Sequence, residues 1–216
     1  MSNPIRDAEK RTLRYWTEDG LPDLYIGLGF IIYAALTWWS ARSNLGWVEA
    51  LKSIFLVAMI ALGRFVVETF KMRLTYPRTG YVAYSQPTRR QAVLSILLSL
   101  FVGGVLAFII FYTLATEGES TGMTLANILL PILFSGMIAV IAYKQGSVRY
   151  GIYALIAVLS GLAVLPFARS LPPASQDAVR NGAAMLAVTG AGMLIGGALT
   201  LVRYLSRYPL PQEGEA

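Results

Sequence analysis

The chain predicts an all-α fold, a six-helix transmembrane bundle led by a short N-terminal interfacial helix. Three observations carry this. Six long apolar runs recur between short charged stretches. Hydrophobic residues make up 56% of the 216 residues, and charged residues only 14%. Soluble domains are nearer a quarter charged, so this chain has too little polar surface to cover a water-soluble globule. A helix needs about 20 apolar residues to cross a hydrocarbon core of about 30 Å, and each run reaches or approaches that length.

Residues Pro4 to Thr17 read as a short helix. Ile5, Leu13 and Trp16 are apolar among charges, which suits the membrane interface; a solvated helical lead-in fits equally. The segment mixes both charge signs and has neither the apolar core nor the small-residue cleavage site of a signal peptide. Gly20 and Pro22 break this helix, and Asp23 stands at the mouth of the first span.

The spans are placed at about 24–40, 47–70, 92–116, 123–143, 148–167 and 183–204, within one integral membrane domain covering 1–216 and a cytoplasmic lead-in at 1–22. The second is the least uniform. Glu49 and Lys52 mark one end, Arg64 and Glu68 the other. Centred near Met59, it puts Arg64 about 8 Å from the midplane, within reach of snorkelling. Arg64 and Glu68 stand four apart, where they can pair. The third span carries Ser95, Ser99, Gly103 and Ala107 at four-residue spacing. The sixth carries Ala187, Ala191, Gly192 and Gly196. Such small residues let helices approach closely, either within one chain or at a homo-oligomer seam. The Gly27–Gly29 pair in the first span reads as helix packing.

Six spans put both termini on one side. Fourteen of the 18 basic residues fall on that side and four on the other. By the positive-inside rule the termini face the cytoplasm. The net charge of +6 then faces anionic lipid headgroups, at about 1 kcal/mol per basic residue near the surface. Membrane lipids are the expected partners, and nucleic acid is not. A homo-oligomer or the subunits of a membrane complex are the protein partners this surface admits.

The chain has no Cys and no His. Thiolate and imidazole metal sites, and chemistry that depends on Cys or His, are therefore absent. No cofactor and no metal site is expected. Asp19, Asp23 and Glu68 with Tyr76 offer acid–base groups, yet no D-x-x-D repeat or phosphate-gripping glycine loop accompanies them, so no catalytic residue is assigned. The last four spans hold no charge at depth, which argues against a proton-driven antiporter.

Two stretches resemble a known group. Arg14 to Leu21 reads RYWTEDGL and Arg73 to Val82 reads RLTYPRTGYV. Together they resemble uncharacterised small bacterial multi-span membrane proteins with a YW-x-DGL opening and a TYPR-x-GYV cytoplasmic loop. The resemblance covers about the first ninety residues. It implies a bacterial cytoplasmic membrane and supplies no reaction.

Ionisable residues at a span boundary are candidate sites. Glu18, Asp19, Asp23, Arg64, Glu68, Arg73, Tyr76 and Arg78 fall near one cytoplasmic boundary and are expected to form a polar cluster, with Tyr81 packed over it. Such a cluster is an entrance for an ion, polar solute or headgroup, or else a set of salt bridges docking the lead-in and the loop from Lys71 to Gln91. The expected function is a small membrane subunit or scaffold binding protein or lipid partners. The alternative is a small transporter or channel for an ion or polar solute.

Overall fold

The computed structural model describes residues 17–43, 45–79, 119–168 and 182–209, with isolated positions 104, 105, 108, 112, 116, 170 and 176. Every element among the described residues is helical. The helices are α1 Leu21–Ser43, α2 Gly46–Leu74, the single turn α3 Tyr76–Thr79, α4 Glu119–Gln145, α5 Val148–Ala168 and α6 Ala183–Arg207. Four stretches are long and apolar enough to cross a membrane: α1, α2, Ile128–Gln145 within α4, and α6. The apolar part of α5, Val148–Val164, is shorter. The small-residue stripe of the expected third span, all but isolated positions of that span, and the lead-in helix before Thr17 lie outside the described residues, as do Tyr81 and the rest of the loop to Gln91.

The helices run past the apolar stretches that mark them. Their ends take in basic residues such as Lys71, Arg73, Lys144 and Arg207, which are good helix formers; the exposed Arg73, Lys144 and Arg207 have stems long enough to reach an interface. Pro22, expected as a breaker, sits in the first turn of α1. No N–H is required of it there.

Neighbours pack in the order α2, α1, α6, α5, α4. Glycines set the closest of these contacts. Gly20 faces Gly197 and Gly27 faces Gly190, which fixes α1 and α6 as antiparallel. A methyl group at Gly27 would stand 2.7 Å from the Gly190 carbonyl oxygen, and one at Gly190 would stand 2.7 Å from that of Gly27. Both are below contact distance, so the two backbones touch where only glycine fits. The expected small residues of the sixth span serve a different neighbour. Gly192 meets Ile156 and Gly196 meets the Tyr153 ring, both on α5. Gly29 receives the Met59 side chain of α2.

Pro131 lies inside α4, where it removes one backbone hydrogen bond. Its ring packs at Gly161 of α5. Ser135 Oγ donates to the Ala154 carbonyl, 2.8 Å away across the same helix pair. The core joins Ile138, Tyr150, Tyr153, Ala154, Ala157 and Met193, with Phe30 and Phe134 against it. These last two rings sit 5.3 Å apart in a tilted pair, a favoured aromatic geometry.

The two ends of the bundle differ. At one end α1 and α5 begin, and α2, α4 and α6 finish. At the other, Trp39 and Trp47 meet edge to face at 5.1 Å, Arg42 lies over the Trp38 ring at 4.8 Å, and Glu49 takes Lys52 and Ser40. Such tryptophans suit a membrane interface.

Candidate functional site

The segment from Thr17 to Asp23 is the centre of the polar end. Gly20 has φ +73°, a left-handed conformation that glycine adopts without cost. A methyl group there would also stand 2.5 Å from the Gly197 carbonyl oxygen. Asp19 Oδ1 accepts the Leu21 N–H at 3.2 Å, a local turn typical of Asp. The bend and the helix start then present two carboxylates to two different neighbours.

Asp19 meets α2. Its Oδ2 lies 2.9 Å from Lys71 Nζ, and both side chains are 1% exposed. Thr75 Oγ1 donates to the same oxygen at 3.1 Å. Asp23 meets α5. Its Oδ2 lies 2.9 Å from Arg149 Nε and accepts the Tyr153 hydroxyl at 3.1 Å. Its Oδ1 accepts the Tyr150 hydroxyl at 2.6 Å. Arg149 extends the network: one terminal nitrogen donates to Thr200 Oγ1 of α6 at 2.7 Å, the other to the Thr17 carbonyl at 2.6 Å. Thr17 Oγ1 in turn donates to Gln145 at the end of α4. One short segment thus bonds to α2, α4 and α5, and reaches α6 through Arg149.

The electrostatics follow from burial. An isolated charge in an apolar interior is very costly. Here two carboxylates meet two cations, each at hydrogen-bonding distance. All four carboxylate oxygens have a donor, so neither acid keeps a strongly exposed lone pair for a solute. Among the described residues no group of three or more acidic side chains is placed to hold a metal ion.

The expected cluster is present in part. Asp19 and Asp23 lie at its heart. Arg64 and Glu68 pair with each other at 3.7 Å on an open face of α2, with side chains 61% and 35% exposed. They stand apart from the Asp19–Asp23 network. Arg73 is exposed, Glu18 is half-buried, and neither has an ion pair among the described residues. Tyr76 is half-buried at the start of α3.

Arg78, expected as a member of that polar cluster, binds carbonyls. Its Nε donates to the Leu74 carbonyl at 3.1 Å and its Nη1 to the Tyr208 carbonyl at 2.8 Å. Asp19, Asp23 and Glu68 are already paired with Lys71, Arg149 and Arg64, whereas helix ends leave carbonyls open. Thr79 and Tyr204 share a hydroxyl hydrogen bond at 2.8 Å beside it. The α3 turn therefore docks on the end of α6.

Sequence reasoning missed Lys71, Thr75, Arg149, Tyr150 and Tyr153 as members. Lys71 and Arg149 were counted only as basic boundary residues. One signal was available: a cation beside an apolar run needs an acid, and Asp19 and Asp23 were two of the four acids at that boundary.

Comparison with protein-family models, curated proteins and solved structures finds no match.

Proposed function

We propose that this protein is a six-span component of a bacterial cytoplasmic membrane, with both termini in the cytoplasm. Its role is that of a small membrane subunit or scaffold binding protein or lipid partners. The observation that carries the reading is the closed pairing of Asp19 with Lys71 and Asp23 with Arg149. A solute pathway keeps charged groups available to its cargo. Here the charges of Asp19, Lys71, Asp23 and Arg149 are spent on joining helices, which suits a rigid body that presents its surface to others. The fourteen-to-four basic bias supports the orientation, and the RYWTEDGL and RLTYPRTGYV stretches support the bacterial setting.

The transporter or channel reading draws on Thr189. It is 0% exposed, and its hydroxyl has no partner among the described residues.

Two measurements separate the readings. The tagged protein is purified from native membranes and its co-eluting proteins and lipids are identified by mass spectrometry. The same preparation is reconstituted for ion and solute flux. A stoichiometric partner without flux is the expected result. Flux well above empty vesicles, with no retained partner, overturns the proposal. Orientation is read from single cysteines at Leu45 and Ser206, exposed at opposite ends. An impermeant reagent applied to intact cells should label the first and spare the second.

A further inference from the structure

Two sets of basic residues contrast at the polar end. Lys71 and Arg149 point inward and are neutralised by Asp19 and Asp23. Arg73, Lys144, Arg203 and Arg207 are exposed and have no ion pair among the described residues. Three of these lie in the last turns of α2, α4 and α6. A helix end carries about half a negative charge, so a full cation there leaves a positive excess.

The end of α6 concentrates this excess. Arg203 and Arg207 are four apart on one helix, so they stand one above the other. Ile195, Leu199 and Val202 lead to them along the exposed side of α6, at 63%, 55% and 66% exposure. The guanidinium of Arg207 lies 5.7 Å from the Tyr208 ring centroid. The helix thus offers an apolar strip ending in two cations beside an aromatic ring.

We propose that the end of α6 binds one anionic phospholipid, its phosphate between Arg203 and Arg207 and an acyl chain along Ile195, Leu199 and Val202. The inference rests on the lipid-binding part of the proposed function and names the lipid class. The charge pattern selects it: a guanidinium pair matches phosphate geometry, and the strip matches a hydrocarbon chain. A zwitterionic lipid supplies its own cation and gains less.

The test is binding to the purified full chain in detergent, followed by native mass spectrometry and thermal unfolding. The probes are phosphatidylglycerol, phosphatidylcholine and inorganic phosphate. Phosphatidylglycerol should bind and raise the melting temperature; the other two should not. Replacing both arginines (R203Q with R207Q) should weaken binding about fivefold for each charge removed. R73Q with K144Q, on other helices, should leave it within about twofold. Equal binding of phosphatidylcholine overturns the proposal, as does an equal loss in the control pair, which would mean diffuse attraction. Competition by inorganic phosphate at equal concentration would instead mark a free-anion site. If R203Q with R207Q does not fold, R203K with R207K carries the test: it keeps the charge, loses the fork, and should bind between the two. Retained partner proteins without lipid binding would overturn this inference and leave the scaffold reading standing.

Discussion

Lys71 and Asp19 meet at 2.9 Å with both side chains almost wholly out of contact with solvent, at 1% exposure each. They lie on α2 and on the segment leading into α1, so their contact clamps the polar end of the α1–α2 hairpin. Breaking a buried ion pair costs about 3–5 kcal/mol, because the remaining partner keeps its desolvation penalty without its counter-charge.

The pair is therefore expected to be non-additive. Asp19→Asn and Lys71→Met should each lower stability in detergent by about 3–5 kcal/mol. The double variant should lose less than the sum and no more than the worse single change. Thermal unfolding of the four proteins measures the coupling. Simple additivity would mean that Thr75 and the Leu21 N–H hold Asp19 without help from Lys71.

The long helices were legible in the sequence because apolar length is a local property. The runs at 47–70 and 183–204 recur as α2 Gly46–Leu74 and α6 Ala183–Arg207, extended mainly at their C-terminal ends. The pairing of charges was less legible. Asp19 and Lys71 are 52 positions apart, and Asp23 and Arg149 are 126 apart. Periodicity can assign a face to a residue but cannot tell which helix that face meets. The order α2, α1, α6, α5, α4 decides the partners, and within it the Gly27–Gly190 approach joins α1 to α6. The sixth span advertised its small residues well, yet Gly192 and Gly196 were the more conspicuous pair, and Gly190 and Gly197 are the ones that touch backbone. Arg64 and Glu68 could be paired from spacing alone, since i,i+4 neighbours need no knowledge of the fold.

The glycine contact makes a graded prediction. Gly27→Ala and Gly190→Ala place a methyl group against a backbone carbonyl, which cannot rotate away. Each should cost about 1–3 kcal/mol, as overpacking does. Gly192→Ala meets only the end of the Ile156 side chain, at 3.1 Å, and should cost clearly less. Gly151, with open space around it, should accept alanine neutrally or gain up to about 1 kcal/mol from helix propensity. Melting temperatures in detergent rank the four. An equal loss at Gly151 and Gly190 would contradict the backbone contact.

Thr189 predicts a gain. Thr37, Thr69, Thr79, Thr116 and Thr200 each donate to the carbonyl four residues earlier. Thr189 makes no such bond, although it is fully buried. An unsatisfied buried hydroxyl costs about 1–3 kcal/mol, and valine has nearly its shape. Thr189→Val should therefore stabilise the protein by about 1 kcal/mol. A loss of similar size would show that the hydroxyl is satisfied by water or a solute, and would favour the transporter reading.

Arg78 separates geometry from charge. Its guanidinium bridges the carbonyls of Leu74 and Tyr208, the ends of two helices, at 3.1 and 2.8 Å. Hydrogen bonds to a charged group contribute about 1.5–3 kcal/mol. A lysine keeps the charge but offers one compact ammonium, which is not built to span two separated acceptors. Arg78→Lys should then behave more like Arg78→Ala than like the unmodified protein, with a loss of about 1.5–3 kcal/mol for alanine and most of it for lysine. Limited trypsin digestion gives a local readout of the same contact. Freed from Tyr208, the end of α6 should be cut faster at Arg203 and Arg207, while cutting at Arg42 on the far end stays unchanged. Full retention of stability and protection in Arg78→Lys would mean that charge alone matters at this position. The α3 turn would then be held by Thr79 and Tyr204 rather than by the arginine fork.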